Sequence, residues 1–335
     1  MLSRRSGYLL AGENVCVLAK EWMKIAVVGA GISGLVCARH LVAGGQEVTV
    51  LEKSRSLGGR CATRKFGDHV VDTGAQYFTV RDPIVRKEIE QVASVQFKKI
   101  TQPILIAGKK GEVYREGEER FYIGNGNNRL GAMLADGLEI RKEVEVGVVA
   151  LVGKEWEVAG GRYDVVVSSA PWPQSAKILG GSQDAVGYEP NLTALLEYNG
   201  GWSGAVYAQI DSSGEDPLGW VACENAKVGR VVDGSTVYVI QASAKYSREN
   251  LEKKPEEWVG DLQARLEQAW GLNPEKRGQV MSHRWRYARR ERDSGHPAEL
   301  PKGLYLCGDS EVDSRLESVW RSGKETAEKI LGSRA

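Results

Sequence analysis

The sequence predicts an α/β protein: a parallel sheet of short apolar strands with crossover helices, joined to a discontinuous α+β region in which a mixed sheet is covered by helices. Two observations predict the first part. Lys24–Val28 is a β-branched apolar run that leads directly into closely spaced glycines, and Leu35–Ala43 then carries apolar residues at helical spacing. A third predicts the second part: beyond residue 172 that pattern stops, and longer strand-like runs alternate with one amphipathic helix. The length of 335 residues fits about two domains. With 45 Lys+Arg against 44 Asp+Glu, the net charge of +1 argues against a nucleic-acid or anionic-membrane binder. No run reaches the roughly 18 apolar residues of a membrane-spanning helix.

Residues 1–22 read as a loose leader or a miscalled start, because Glu13 and Asn14 interrupt the apolar stretch after Arg4 and Arg5 too early for a signal peptide. Five cysteines (Cys16, Cys37, Cys61, Cys223, Cys307) form no C-x-x-C pair, which predicts a reducing, cytoplasmic setting without a disulfide framework. His40, His69, His283 and His296 show no metal-ligand spacing, so no metal is expected.

The first strand runs into Gly29-Ala30-Gly31-Ile32-Ser33-Gly34, and Glu47–Glu52 forms a second strand ending in an acid. Strand, glycine turn, helix, strand and acid within about 30 residues make a Rossmann-type dinucleotide unit. Gly29 serves the tight turn, Gly31 the approach of a pyrophosphate, and Gly34 close helix packing. The amides of Ile32 and Ser33 then face the phosphates at the helix N-terminus. Glu52 is placed to accept from ribose hydroxyls, which disfavours a 2′-phosphate.

Further along, Pro83–Val95 reads as a helix and Gly108–Gly117 as a hairpin, while Ile140, Val146, Val149 and Trp156 mark a strand meander. Tyr163–Ser168 is a buried parallel strand ending at the small residues Ser169 and Ala170. Leu192–Tyr198 and Val237–Ala244 read as strands, and Trp258, Leu262 and Leu266 as one helix face ended by Gly271 and Pro274. In His283–Arg289 the residues His283, Trp285 and Tyr287 share one strand face, and the arginines form a basic patch with Arg290 and Arg292. Leu304–Asp309 is a strand ending in Gly308-Asp309. Ser314 with Glu317 three residues later fits a capping box at the start of the last helix.

The run Lys53 to Arg60, with Gly58-Gly59-Arg60, resembles the signature after the second strand in the flavoprotein superfamily that contains the amine oxidases. That resemblance implies non-covalent FAD. Gly59 and Arg60 would add donors near the pyrophosphate, with Lys53 beside them, and Gly74, Ala75 and Gln76 would pass along the isoalloxazine ring. Val146 would set its backbone against adenine, and Ala170 and Gly308 would touch the cofactor. Asp309 would hold the ribityl chain, and Arg315, Leu316 and Glu317 would bring a helix N-terminus to the flavin N1/C2=O edge.

Over Met23–Leu331 the motif order resembles the renalases, in particular their bacterial branch. Gly74-Ala75-Gln76-Tyr77-Phe78-Thr79 with Arg81-Asp82, His283-Arg284-Trp285 with Tyr287-Ala288-Arg289, and Cys307-Gly308-Asp309 leading to Arg315-Leu316-Glu317 carry the likeness. It implies oxidation of 2- or 6-dihydroNAD(P) isomers to NAD(P)+, with O2 as acceptor and H2O2 as product. Tyr77, Phe78, Thr79 and Arg81 would shape the substrate slot, and no catalytic acid–base pair is expected. Residues 23–82, 121–172 and 281–332 would form the FAD domain, and 83–120 and 173–280 the substrate domain. Departures from the branch are Asn127 in place of Met, Ser310-Glu311 in place of Trp-Cys, and Lys245-Tyr246 after the small-residue strand. The rival readings are a flavin amine oxidase with Lys245 near the flavin, and a non-catalytic FAD-binding protein.

Overall fold

The structure is a computed structural model and describes residues 22–297 and 299–333. Except for Trp22, the leader expectation therefore falls outside the described residues. Two sheets organise the rest. A five-stranded parallel sheet has the order Leu304–Leu306, Val165–Ser168, Lys24–Val28, Glu47–Glu52, Glu139–Lys142. Its central strands are buried on both faces, as near-continuous Val/Ile runs require.

The helix on one face spans Ile32–Ala43, starting three residues earlier than its apolar spacing alone suggested. The last helix, Leu316–Gly332, packs on it so closely that a Cβ at Gly323 would lie 2.3 Å from the Ser33 carbonyl oxygen. Gly34 has the predicted role, since a Cβ there would sit 2.3 Å from Gly29 O and 2.5 Å from Ser169 Oγ.

The second sheet has six strands in the order Arg277–Arg290, Tyr188–Asn199, Ser235–Gln241, Trp220–Cys223, Ala208–Ile210, Ile104–Ile106. All pairs are antiparallel except the last. The helix Pro255–Trp270 covers it through Trp258, Leu262 and Leu266, and Gly271 ends that helix in the left-handed region at φ 64°.

Several expectations need correction. Ile140 pairs with Val50 at the edge of the parallel sheet, and the meander is Ala150–Val152, Glu155–Val158 and Gly161–Tyr163. Residues 281–290, expected with the nucleotide unit, hydrogen-bond to Tyr188–Asn199 in the second sheet. The 14-residue length of that strand carries it past both neighbourhoods. The pair Phe97–Ile100 with Arg120–Ile123 crosses the expected boundary at 120/121. The hairpin expected at 108–117 is centred earlier, where Leu105 and Val113 form one antiparallel bridge with Ile106 N–H donating to Glu112 O at 3.0 Å and Tyr114 N–H to Ile104 O at 2.8 Å. Ser314 and Glu317 form no capping box. The N-cap is Arg315, whose side chain makes no cap hydrogen bond, and Ser314 Oγ instead donates to Asp309 at 2.6 Å.

Candidate functional site

The site begins where the first strand stops. Gly29 turns at φ +99°, with its carbonyl oxygen accepting from Ser169 Oγ at 2.9 Å. The helix N-cap is Gly31, and the first turn holds no acidic residue and no side-chain cap. Among the described residues the amides of Ile32, Ser33 and Gly34 have no acceptor, the first in-helix bond being Leu35 N–H to Gly31 O at 3.0 Å. A Cβ at Gly31 would meet nothing within 4 Å. Open space and three free amides at a helix N-terminus are what an anion needs.

Glu52 is buried beside this turn and accepts from Ala30 N–H and Ser54 N–H, each at 2.7 Å. The second glycine pair lies alongside it. Gly58 N–H donates to Ala30 O at 2.9 Å, and Gly31 and Gly58 form a parallel bridge. At the strand ends, a Cβ on Gly308 would fall 2.6 Å from Ser33 Oγ, and Ala170 O accepts from Ser175 and Ser310. Gly29 and Ser33 of the turn, Ala170 and Gly308, taken from three separate stretches of chain, therefore meet.

Arg60 and Asp309, expected as separate cofactor contacts, meet each other. The guanidinium grips the carboxylate with both terminal nitrogens, one at 2.6 Å. Ser314 and Tyr188 donate to the same carboxylate, Tyr188 at 3.2 Å. Burial would raise the Asp309 carboxyl, but Arg60 and these hydrogen bonds hold it below the usual aspartate range. Burial and the neighbouring Asp309 push the Tyr188 phenol up to about 12.

Beyond Arg60 comes the segment Thr73–Gln76, folded under it by Ala75 N–H to Arg60 O at 2.9 Å. Each carbonyl of this segment is taken by a side chain. Thr73 O accepts from Trp285 Nε1 at 2.9 Å, and Gly74 O from Gln241 Nε2 at 2.7 Å. Ala75 O accepts from Asn127 Nδ2 at 2.8 Å, and Gln76 O from the Tyr207 hydroxyl at 3.2 Å. In contrast, Gln76 Oε1 is buried without a donor, and among the described residues the amides of Gln76 and Tyr77 have no acceptor. The polar groups left over point to a ligand bearing both donors and acceptors.

Other expected residues lie apart. Phe78 is 2% exposed and belongs to the core against the helices. Tyr77 packs on Trp220 and Tyr207, with ring centroids 5.7 and 6.4 Å away. Thr79 and Arg81 line a surface cleft with Arg86 and Glu118, and Arg81 is ion-paired with Glu118. Lys53 is exposed, and Arg315 faces Asp313 at 3.7 Å. Leu316 is buried, while the Glu317 carboxylate accepts from the backbone of Arg81 and Asp82. Val146 is half-buried in the segment that leaves Glu52 O through Val144 N–H. Lys245 stands in the helix Ala244–Asn250, not at a strand end, and its exposed ammonium pairs with Glu215 at 2.5 Å. Within the basic patch Arg286 is paired with Glu252 and Arg289 with Glu189, while Arg284 and Arg290 donate to backbone carbonyls.

Sequence reasoning missed the residues that fasten the segment: Tyr207, Gln241 and the network on Asp72. Of the fastening residues, Trp285 carried a signal in the His283-Arg284-Trp285 motif, and Asn127 as a departure from the resembled pattern.

A family model described as NAD(P)-binding Rossmann-like domain matches residues 27–90. The L-amino-acid oxidase of Sistrurus catenatus edwardsii is 38% identical over 84 residues, which are 25% of this chain and 16% of that protein. The first relatives of this kind are spanned over only 7–18% of their own lengths. The likeness in structure is longer. A putative protoporphyrinogen oxidase from Exiguobacterium sp. 255-15 superposes with a TM-score of 0.72 at 15% identity, covering 92% of this chain and 99% of that one. Cyclohexylamine oxidase from Brevibacterium oxydans IH-35A gives 0.71 at 12% identity, covering 94% and 100%. The chain thus carries a Rossmann-like domain within the α/β fold that these two oxidases share.

Proposed function

We propose that the protein binds FAD non-covalently and is an FAD-dependent oxidoreductase of the amine oxidase type of fold. The observation that carries this reading is the turn Gly29–Gly34. It offers three unpaired amides, open space over Gly31 and the buried Glu52 carboxylate a few ångströms away along the sheet end. In this reading the amides of Ile32–Gly34 hold the pyrophosphate and Glu52 takes the adenosine ribose. Arg60 and Asp309 flank the middle of the cofactor, and the Gln76–Tyr77 amides with Gln76 Oε1 meet the polar edge of the ring. The described cysteines Cys37, Cys61, Cys223 and Cys307 are all buried, so none offers an accessible attachment point.

The substrate we propose is a 2- or 6-dihydroNAD(P) isomer. Bound FAD would supply the two-electron acceptor: a hydride leaves the dihydronicotinamide to give NAD(P)+, and O2 then takes two electrons and two protons to give H2O2. The chain's own task is orientation. It supplies an aromatic wall at Tyr77, with Arg81 at the neighbouring cleft held by Glu118, and no general base is needed because the hydride carries no separate proton. The amine oxidase reading is favoured by the fold shared with cyclohexylamine oxidase, but Lys245, its one proposed lysine, is engaged by Glu215 at the surface.

Purified protein is expected to be yellow and to release intact FAD on denaturation. Colourless protein that takes up no FAD on reconstitution would overturn the reading. Flavin retained by denatured chain would overturn its non-covalent part.

A further inference from the structure

Asp72, Glu224, Lys227 and Arg230 form a closed network with side chains 0% exposed. Lys227 Nζ donates to Asp72 at 2.8 Å and to Glu224 at 3.0 Å, and Arg230 reaches the same two carboxylates at 3.1 and 3.2 Å. Two carboxylates face two cations, so the network is neutral as a unit. Three of its members come from the turn after the strand Trp220–Cys223 of the second sheet, while Asp72 immediately precedes the segment Thr73–Gln76. Asp72 Oδ1 also accepts from the backbone N–H of Asn127 at 3.0 Å, and Asn127 Nδ2 holds the Ala75 carbonyl.

A buried ionic group of this kind is weak as a source of stability, since packed apolar residues of similar volume often do as well. Its place at the base of the ring-facing segment suggests a different use. We propose that the network is a positioning device that sets the charge felt by FAD bound along Thr73–Gln76, and so sets its affinity and reduction potential. The inference rests on the FAD reading above. In a dry interior, one unbalanced charge acts over a long range. Reduction adds negative charge at the ring, so a net negative network disfavours it and a net positive one favours it.

The test compares wild type with Lys227→Met, Glu224→Gln and the double variant, each loaded with FAD. The two-electron potential is followed from pH 8.5 upward and compared where Glu224 is ionised in both proteins, because burial raises its carboxyl to about 7 in the wild type and Lys227→Met removes the ammonium that lowers it. Lys227→Met is expected to lower the reduction equilibrium about tenfold, which is about 30 mV, and Glu224→Gln to raise it about tenfold. The double variant, neutral again, is expected to return to the wild-type potential. If Lys227→Met does not fold, Glu224→Gln and the double variant carry the same comparison. Potentials that move in one direction in both single variants, or a double variant whose potential lies outside the interval between them, would overturn the proposal and leave the network purely structural. Wild type that takes up no FAD overturns the functional reading as well, whereas FAD-loaded variants with unchanged potential overturn the network alone.

Discussion

At the turn before the helix Ile32–Ala43 the backbone leaves three amides free over open space, whereas at Thr73–Gln76 every carbonyl is already taken by a side chain from elsewhere. The first arrangement is made by a few consecutive residues and needs only glycines at the right spacing. The second needs Trp285, Gln241, Asn127 and Tyr207, which come from four distant parts of the chain. One end of the site is preformed by local backbone geometry, the other by long-range side-chain fastening. Between them the Arg60–Asp309 pair ties the Gly58–Arg60 turn to the end of the strand Leu304–Leu306.

The contrast can be broken by substitution at either end. The largest effect is expected from Lys227→Met, which leaves the carboxylates of Asp72 and Glu224 buried against Arg230 alone. Loss of one partner of a buried ion pair costs about 3–5 kcal/mol, read from urea unfolding. The double Glu224→Gln/Lys227→Met variant is expected to lose less than the single one. At the opposite end, Glu52→Ala is expected to weaken FAD binding by about 1.5–3 kcal/mol in a fluorescence titration, the scale for hydrogen bonds to a charged group.

Two glycines sharpen the comparison within the turn itself. Gly34→Ala forces a methyl against Gly29 O and is expected to cost about 1–3 kcal/mol of stability. Gly31→Ala meets open space, and φ −72° at Gly31 suits any residue, so stability is expected to change by less than about 0.5 kcal/mol. FAD affinity is nevertheless expected to fall, because the methyl occupies the room assigned to the pyrophosphate. A Gly31→Ala protein with undiminished affinity would remove the phosphate from that turn.

Asp309 gives a pH signature. Its depressed folded value contributes stability that is complete above the unfolded aspartate value of about 3.9 and is lost as pH falls through the folded one. Arg60→Met is expected to flatten that acid limb of the urea midpoint. The smallest effect belongs to Lys245→Met, expected to leave flavin reduction rates unchanged.

The same contrast explains what could be read from the sequence. The turn at Gly29 and the close packing at Gly34 were legible because glycine spacing alone fixes them, and the strands 24–28, 47–52 and 165–168 because they are buried on both faces. The network on Asp72 was not, because Asp72 and Lys227 are 155 residues apart. No periodicity links them. Ile140 was misplaced for a related reason: a single edge strand carries too short a pattern to show which sheet it joins. Lys245 sat next to a strand-like run, and only the N-cap of Ser243, accepting from Tyr246 N–H, shows that a helix begins there.

The central claim is that this fold holds FAD and oxidises a dihydronicotinamide isomer. Anaerobic stopped-flow at the flavin absorbance band tests it directly, mixing the FAD-loaded protein with 2- or 6-dihydroNAD, ordinary 4-dihydroNADH and simple amines in parallel. The account predicts rapid bleaching by the 2- and 6-isomers and far slower bleaching by 4-dihydroNADH and the amines. Bleaching by amines without a response to the isomers would contradict it.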